Sequence, residues 1–530
     1  MSSSLRRIGL YWRTIRYLKP EQLWRRIAFK LFPPSVDRNA LPECGKAMEL
    51  RTRFPEGYRV FSGPDRFRFL NDERDFFGWN DPACGKLWLY NLHYFDLLRQ
   101  ADLTEGEGRQ WIARWIAENP PFSGNGWEPY PISLRIVNWI KWAVSGHPLD
   151  GAASASLALQ ARFLSRRIER HLLANHLLAN AKALVFAGLF FSGSEADEWL
   201  SAGLDIYREQ LPEQILADGG HFERSPMYHS IILEDLLDLF NLGVPLPLQK
   251  TVEKMLIWLS VMTGPDGKIA HFNDAADGIA LAPQTLFAYA GRLGIGIPQE
   301  CPKCLDLPQT GYARMSAGEW TAICDGAPIG PDYQPGHAHA DTLTFELWHG
   351  KTRMMVDSGT GEYIDTPLRR EQRGTAGHNT LTVDGANSSE VWGAHRVASR
   401  ARIVERRFAD NSFSAAHDGF RGMTHRREWR ISAAGVNIRD RVGGNGVHTV
   451  DMYWHLSPSA EVENLGGRVV LHSDGKSLVL MLPAAVEYTV ETGHCSSEFG
   501  KSSNHPVVHC RYRGNLPFEA ETTINMRQDI

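Results

Sequence analysis

The chain has 530 residues, 43% of them hydrophobic, 22% charged and 10% aromatic, with a formal net charge of −4. That length exceeds one ordinary core and calls for two or three domains, and no low-complexity tract interrupts it, so it should be globular throughout. A nearly balanced charge, spread along the chain, argues against a nucleic-acid protein, which needs a basic stripe to displace phosphate counterions.

The first 32 residues hold eight Lys or Arg against one acid, Glu21. Leu5, Ile8, Trp12 and Ile15, then Leu23, Ile27 and Leu31, recur at helical spacing around Pro20. Two readings follow. The segment packs on the main body with a solvated basic face, or it lies as a peripheral amphipathic segment on an anionic membrane. It lacks the continuous apolar core of a signal peptide. No segment reaches the roughly 18 apolar residues needed to cross a bilayer. A cytoplasmic location, or one peripheral to the inner membrane, is therefore expected.

From about residue 85 to 305 the apolar period is helical. Segments such as 133–144, 175–191, 228–242 and 249–262 end at Gly, Pro or polar turns, which describes an all-α domain. Cys301 and Cys304 form a lone CxxC in a Pro-rich linker. The seven cysteines (Cys44, Cys84, Cys301, Cys304, Cys324, Cys495 and Cys510) are scattered and odd in number, and they form no disulfide framework. From 306 to 530 the period shortens. Residues 342–348 alternate strictly and turn at His349-Gly350, predicting a hairpin with one buried face. Further strand candidates at 321–324, 380–383, 428–432, 437–442, 452–456, 469–472, 477–481 and 520–525 predict an antiparallel sandwich. Residues 1–84 form an N-terminal extension packing on the helical domain.

Four clusters could carry chemistry. Trp127 and Tyr130 lie in a Trp-Glu-Pro-Tyr-Pro stretch and offer flat rings for a sugar or simple loop packing. Asn175 and His176 stand where a helix N-cap is expected, and capping is a competing role for Asn175. Glu223, Arg224, Tyr228 and His229 follow a Gly-Gly turn and open another helix, where amphipathic packing would also explain a tyrosine. His337, His339 and Asp341 precede the alternating stretch at 342–348, with Asp357 and His378 at neighbouring strand edges. The His-x-His-x-Asp spacing superficially matches a metallohydrolase motif, but the chain continues into a strand rather than a helix. His339, Asp357 and His378 make two imidazoles and a carboxylate, a set that suits zinc.

Jointly, these clusters resemble the heparinase II/III superfamily of polysaccharide lyases, which includes alginate-lyase relatives. The similarity runs from about residue 85 to the C-terminus. It is strongest at His337-Ala338-His339-Ala340-Asp341 and at Arg373-Gly374-Thr375-Ala376-Gly377-His378-Asn379-Thr380. The resemblance implies an incomplete (α/α) toroid followed by an antiparallel β-sandwich, a multidomain α+β fold. It implies a cleft between the domains, with Asn175 neutralising a uronate carboxylate and Tyr228 and His337 as acid and base. Glu223, Arg224 and Arg373 fall near that site, and Trp127, Tyr130, His176 and His229 complete the expected substrate contacts. A structural zinc on His339, Asp357 and His378 is implied as well. Many relatives act outside the cytoplasm, so the analogy also allows a periplasmic location.

The expected activity is β-elimination on a glycosaminoglycan-like or alginate-like polymer. Tyr228 as a base would need a cation such as Arg224 or Arg373 beside its phenolate. Two rival readings stand. One is a non-catalytic polysaccharide-binding or assembly factor of exopolysaccharide synthesis. The other is a glycoside hydrolase using Glu223 with Asp218 or Asp274 as paired carboxylates.

Overall fold

The computed structural model describes residues 3–32, 34–37, 43–44, 48–298 and 300–527. Its first half is a helical toroid. Helices Lys86–Tyr94, Glu105–Glu118, Pro129–Val144, Gly151–Ser165, Ala174–Phe190, Ser194–Gln214, Pro226–Asn241, Leu248–Val261 and Pro283–Arg292 follow one another through short loops. Their starts are written in the sequence. Thr104 and Glu107 form a reciprocal capping box, Asp150 accepts from Ala153 N, and Ser225 accepts from Tyr228 N with Pro226 at the first helical position. One apolar core runs from Phe61 to Ile295. It takes in Phe61, Phe67 and Phe69 from a small three-stranded sheet between residues 61 and 75.

The second half is a β-sandwich built from five-, four- and eight-stranded antiparallel sheets. The eight-stranded sheet shows the expected alternation: His425, Arg427, Trp429 and Ile431 are buried between exposed or half-buried neighbours. The hairpin predicted at residues 342–348 differs from expectation. Residues 342–344 lie in a turn with Leu343 left-handed (φ 69°), and the strand Phe345–His349 is buried on both faces. Phe345 and Leu347 enter the sandwich core, whereas Trp348 packs among Trp258, Val261 and Phe272 of the helical half. A strand wedged between two domains has no solvent face, so its alternation reports two cores rather than core and water.

Helices Ser3–Ile15 and Pro20–Leu31 lie against both halves. Arg13 pairs with Glu390 at 2.8 Å, Trp392 Nε1 donates to Thr14 Oγ1 at 3.1 Å, and Phe29 packs on His171. Polar and aromatic groups thus make the attachment, and the apolar stripe expected to face the body points to solvent. The Leu5 side chain lies outside the described residues.

The Trp348 contact gives a test of domain coupling. Trp348→Ala should lower stability by about 3–5 kcal/mol, the usual cost of emptying a buried Trp site. Denaturant unfolding measures it, and a loss under about 1 kcal/mol would show that the interface carries little.

Candidate active site

A cleft of about 370 Å³ opens where the toroid meets the sandwich. Tyr90, Tyr130, Asn175, His176 and Tyr228 line it from the helical side, and His337, Tyr363 and His395 from the β side.

Asn175 is the second residue of its helix. The N-cap is Leu173, which makes no side-chain cap, so the capping role considered for Asn175 does not hold. Leu173 and Ala174 both adopt left-handed backbone (φ 63° and 49°), a conformation costing about 1–3 kcal/mol per non-glycine residue. This kink leaves the Asn175 amide on the cleft wall, while its backbone N donates to Glu223 Oε1 at 3.5 Å. His176 turns its ring against Tyr130 and pairs with Glu169 at 3.2 Å. Burial works against the imidazolium there, but Glu169 outweighs it and raises the His176 pKa.

Tyr228 and His337 are stacked, with ring centroids 3.9 Å apart. The Tyr228 hydroxyl meets that of Tyr363 at 3.1 Å. Burial, reinforced by Tyr363, holds the Tyr228 phenol well above its ordinary pKa. The cations expected to stabilise a phenolate lie elsewhere. Arg224 donates to the carbonyls of Thr310 and Phe222, and Arg373 to those of Ala338 and Gly393. Neither lines the cleft. The Tyr228 phenol thus has neither of those cations beside it.

His337 sits between two carboxylates, Asp274 Oδ2 at 2.9 Å from Nδ1 and Glu223 Oε2 at 3.7 Å from Nε2. A proton on Nδ1, shared with Asp274, leaves the Nε2 lone pair free. Glu223 Oε2 is buried with no hydrogen-bond partner, and burial raises its pKa. Asp274 also accepts from His339 Nε2 at 2.8 Å, Thr360 Oγ1 at 3.2 Å and both terminal nitrogens of Arg369. Burial alone would raise the Asp274 carboxyl, but Arg369 and the two histidines hold it well below the ordinary range. Asp274 entered the sequence reading only as a hydrolase candidate, and Arg369, Tyr363 and His395 not at all. The polar Asn273-Asp274 pair closing an apolar run was the available signal.

Other expected contacts fall outside the cleft. Trp127 is buried against Phe122 and Phe163, so it is packing rather than a sugar platform. His229 stacks on Trp258 and bonds Met255 O in the toroid core. Asp218 accepts from Thr310 N and Oγ1, leaving it structural. With Asp274 committed to Arg369 as well, neither acid proposed to partner Glu223 in a hydrolase is free.

His339, Asp357 and His378 are neighbours. His378 Nδ1 donates to Asp357 Oδ2 at 2.9 Å, and the two imidazoles are 5.5 Å apart. His339 Nδ1 and His378 Nε2 are buried without partners, and donors of this type suit zinc. As arranged, however, no three His, Cys, Asp or Glu side chains among the described residues gather where they could hold one ion.

Two family models match: the heparinase II/III N-terminus at residues 153–286 and the heparinase II/III-like C-terminal domain at 302–525. The chain belongs to the heparinase II/III family. A heparin-sulfate lyase from Bacteroides stercoris is 24% identical over 62% of this chain, which spans about half (53%) of that relative's length. A heparin-sulfate lyase from Pedobacter heparinus is 24% identical over 78% of this chain and 68% of its own. The FtsZ-localized protein C of Caulobacter vibrioides is also 24% identical, over 81% of this chain and 79% of its own. Among solved structures, a heparinase III superposes with a TM-score of 0.70 at 18% identity, covering 96% of this chain and 85% of that one. The fold is thus the heparinase toroid followed by a sandwich.

The buried Asp274–Arg369 pair predicts a pH signature. Arg369→Met, leaving an unpaired buried carboxylate, should destabilise by about 3–5 kcal/mol near neutrality. Because the folded Asp274 carboxyl is depressed, its contribution is present above the ordinary carboxylate pKa and fades as pH falls towards the folded value. Stability followed by denaturant from about pH 5 to 1 should therefore converge for wild type and variant towards acid. A pH-independent gap would contradict this.

Proposed function

We propose that this heparinase II/III family chain is a polysaccharide lyase that cleaves uronate-containing polymers bearing little or no sulfate, by β-elimination. The observation that carries the reading is the meeting of Asn175, Tyr228 and His337 in one cleft, contributed by both domains.

The C5 proton of a uronate is weakly acidic, and its ionised carboxylate opposes removal because negative charge must build up on it. Asn175, with His176 beside it, hydrogen-bonds that carboxylate and stabilises the enolate-like intermediate, as an oxyanion hole does. His337 Nε2 takes the proton when proton and leaving group lie on opposite faces. The imidazolium so formed is met by Asp274 on one side and Glu223 on the other. Tyr228 gives its phenolic proton to the departing C4 oxygen as the C4–C5 double bond forms.

The sulfate preference rests on charge. Arg99, Lys141 and Lys182 line the cleft but are paired internally: Arg99 with Glu234 at 2.6 Å, Lys141 with Asp238 at 2.6 Å, and Lys182 with Asp235 at 2.6 Å and Asp238 at 2.5 Å. A sulfated chain would have to break these buried pairs to find a cation, whereas a carboxylate needs only Asn175 and His176.

Incubation with sulfated and unsulfated uronate polymers tests the reading. Unsulfated polymer should yield unsaturated ends absorbing in the near ultraviolet. Tyr228→Phe and His337→Ala should each lower kcat by about 10²–10⁴-fold. Asn175→Ala should lower it by about 10²–10³-fold. Saturated ends, or a Tyr228→Phe variant of nearly full activity, would refute elimination.

Zinc on His339, Asp357 and His378 is proposed as a brace for the cleft floor, supported by the two orphaned imidazole nitrogens; holding it would require these three side chains to draw together from the spacing described above. No proton transfer above passes through it. Metal analysis of purified protein should find about one zinc per chain, and a chelator should lower the thermal midpoint. Metal-free protein of unchanged stability would remove zinc from the account.

One finding favours a second reading, a polysaccharide-binding or assembly factor. The relative named for its FtsZ localisation matches this chain more fully in both directions than the Pedobacter lyase does. Retained binding of oligouronate without any unsaturated product would select it.

A further inference from the structure

The N-terminal helices present an apolar face that nothing among the described residues covers. In Ser3–Ile15, Ile8, Trp12 and Ile15 recur at i, i+4 and i+7 and stand 64%, 65% and 45% exposed. In Pro20–Leu31, Trp24, Ile27 and Leu31 recur at i, i+3 and i+7 and are 64%, 53% and 65% exposed, with Phe32 beyond them at 67%. An isolated exposed Leu or Ile needs no explanation, but seven large apolar side chains on two consecutive helices do.

The attachment of the helices makes this face a fixed feature. Tyr11, Arg13 and Thr14 bind the β half at Trp392 and Glu390. Lys19 pairs with Glu213 at 2.6 Å, Gln22 donates to Tyr333 O, and Phe29 lies on His171. The inward faces are thus spent on polar and aromatic contacts.

Charge decides the occupant. Arg7, Arg25, Arg26 and Lys30 are exposed on the same two helices and Arg16 just beyond the first, and the only acid within the two helices, Glu21, is taken by Arg25. Apolar side chains including two tryptophans, flanked by cations, suit a bilayer interface: the apolar groups enter the acyl boundary and the cations meet anionic headgroups. No helix among the described residues is long and apolar enough to cross a membrane. We infer that the helices Ser3–Ile15 and Pro20–Leu31 dock the protein, in the plane of the interface, on a bilayer rich in anionic lipid. The inference stands independently of lyase activity.

Vesicle flotation with the full chain is the test. Vesicles of phosphatidylglycerol and phosphatidylcholine should carry the protein up, and phosphatidylcholine alone should carry at least about tenfold less, because each surface cation adds about 1 kcal/mol on an anionic membrane. Trp12→Glu with Trp24→Glu should abolish flotation while the circular dichroism and thermal midpoint of the body stay unchanged. Arg7→Glu with Arg26→Glu should weaken binding only to the anionic vesicles. Flotation that survives the tryptophan exchange overturns the inference. So does failure to float in low salt. A wild-type dimer that dissociates on the tryptophan exchange, without vesicle binding, would instead assign the face to a second copy.

Discussion

The cleft depends on one buried carboxylate. Asp274 has no access to water, and such a charge is tolerated only where its partners replace the lost solvation. Those partners come from every wall of the site. Arg369 closes on it from a short helix, His337 and His339 from the loop before the strand Phe345–His349, and Thr360 from the segment after Asp357. Its backbone is engaged too, donating to His337 O at 2.9 Å and accepting from Ser225 Oγ at 2.5 Å. Ser225 in turn caps the helix Pro226–Asn241 that carries Tyr228. The placement of the phenol and of the imidazole therefore follows from the solvation needs of a single side chain.

The same electrostatics separates the two reactive rings. His337 lies between two acids, Asp274 and Glu223. Tyr228 lies among other phenols in a buried setting and keeps its proton. Arg224 and Arg373, which could have blurred that division, are bonded to backbone carbonyls instead and hold neighbouring loops in shape.

Much of the fold was legible because its signals are local. The helices beginning near residues 133, 175, 228 and 249 and the strands near 428, 437 and 477 announce themselves by period and by capping residues. What escaped lacks such a signal. The strand Glu487–Cys495 is largely exposed and carries no alternation, and the small sheet between residues 61 and 75 is two short hairpins of Arg and Phe. At the site, Asn175, Tyr228 and His337 were visible only as members of an ordered set of motifs. Asp274, Arg369 and Tyr363 were not, because their meaning lies in contacts across about 60 to 140 residues of chain, which no window of sequence contains. Trp127 and His229 illustrate the reverse error: residue types suited to sugars that the toroid uses as filling.

The ribbon formed by Val391–Trp392 and Arg396–Val397 touches two places at once. At its base, Trp392 is gripped by Tyr11 and Thr14 of the first helix. At its tip, His395 lines the cleft and bonds the carbonyl of Gly336, next to His337. Amino-terminal helix and cleft rim are thereby joined through a lever four residues long. Whatever surface the helix rests on is mechanically continuous with the mouth through which a sugar chain would enter.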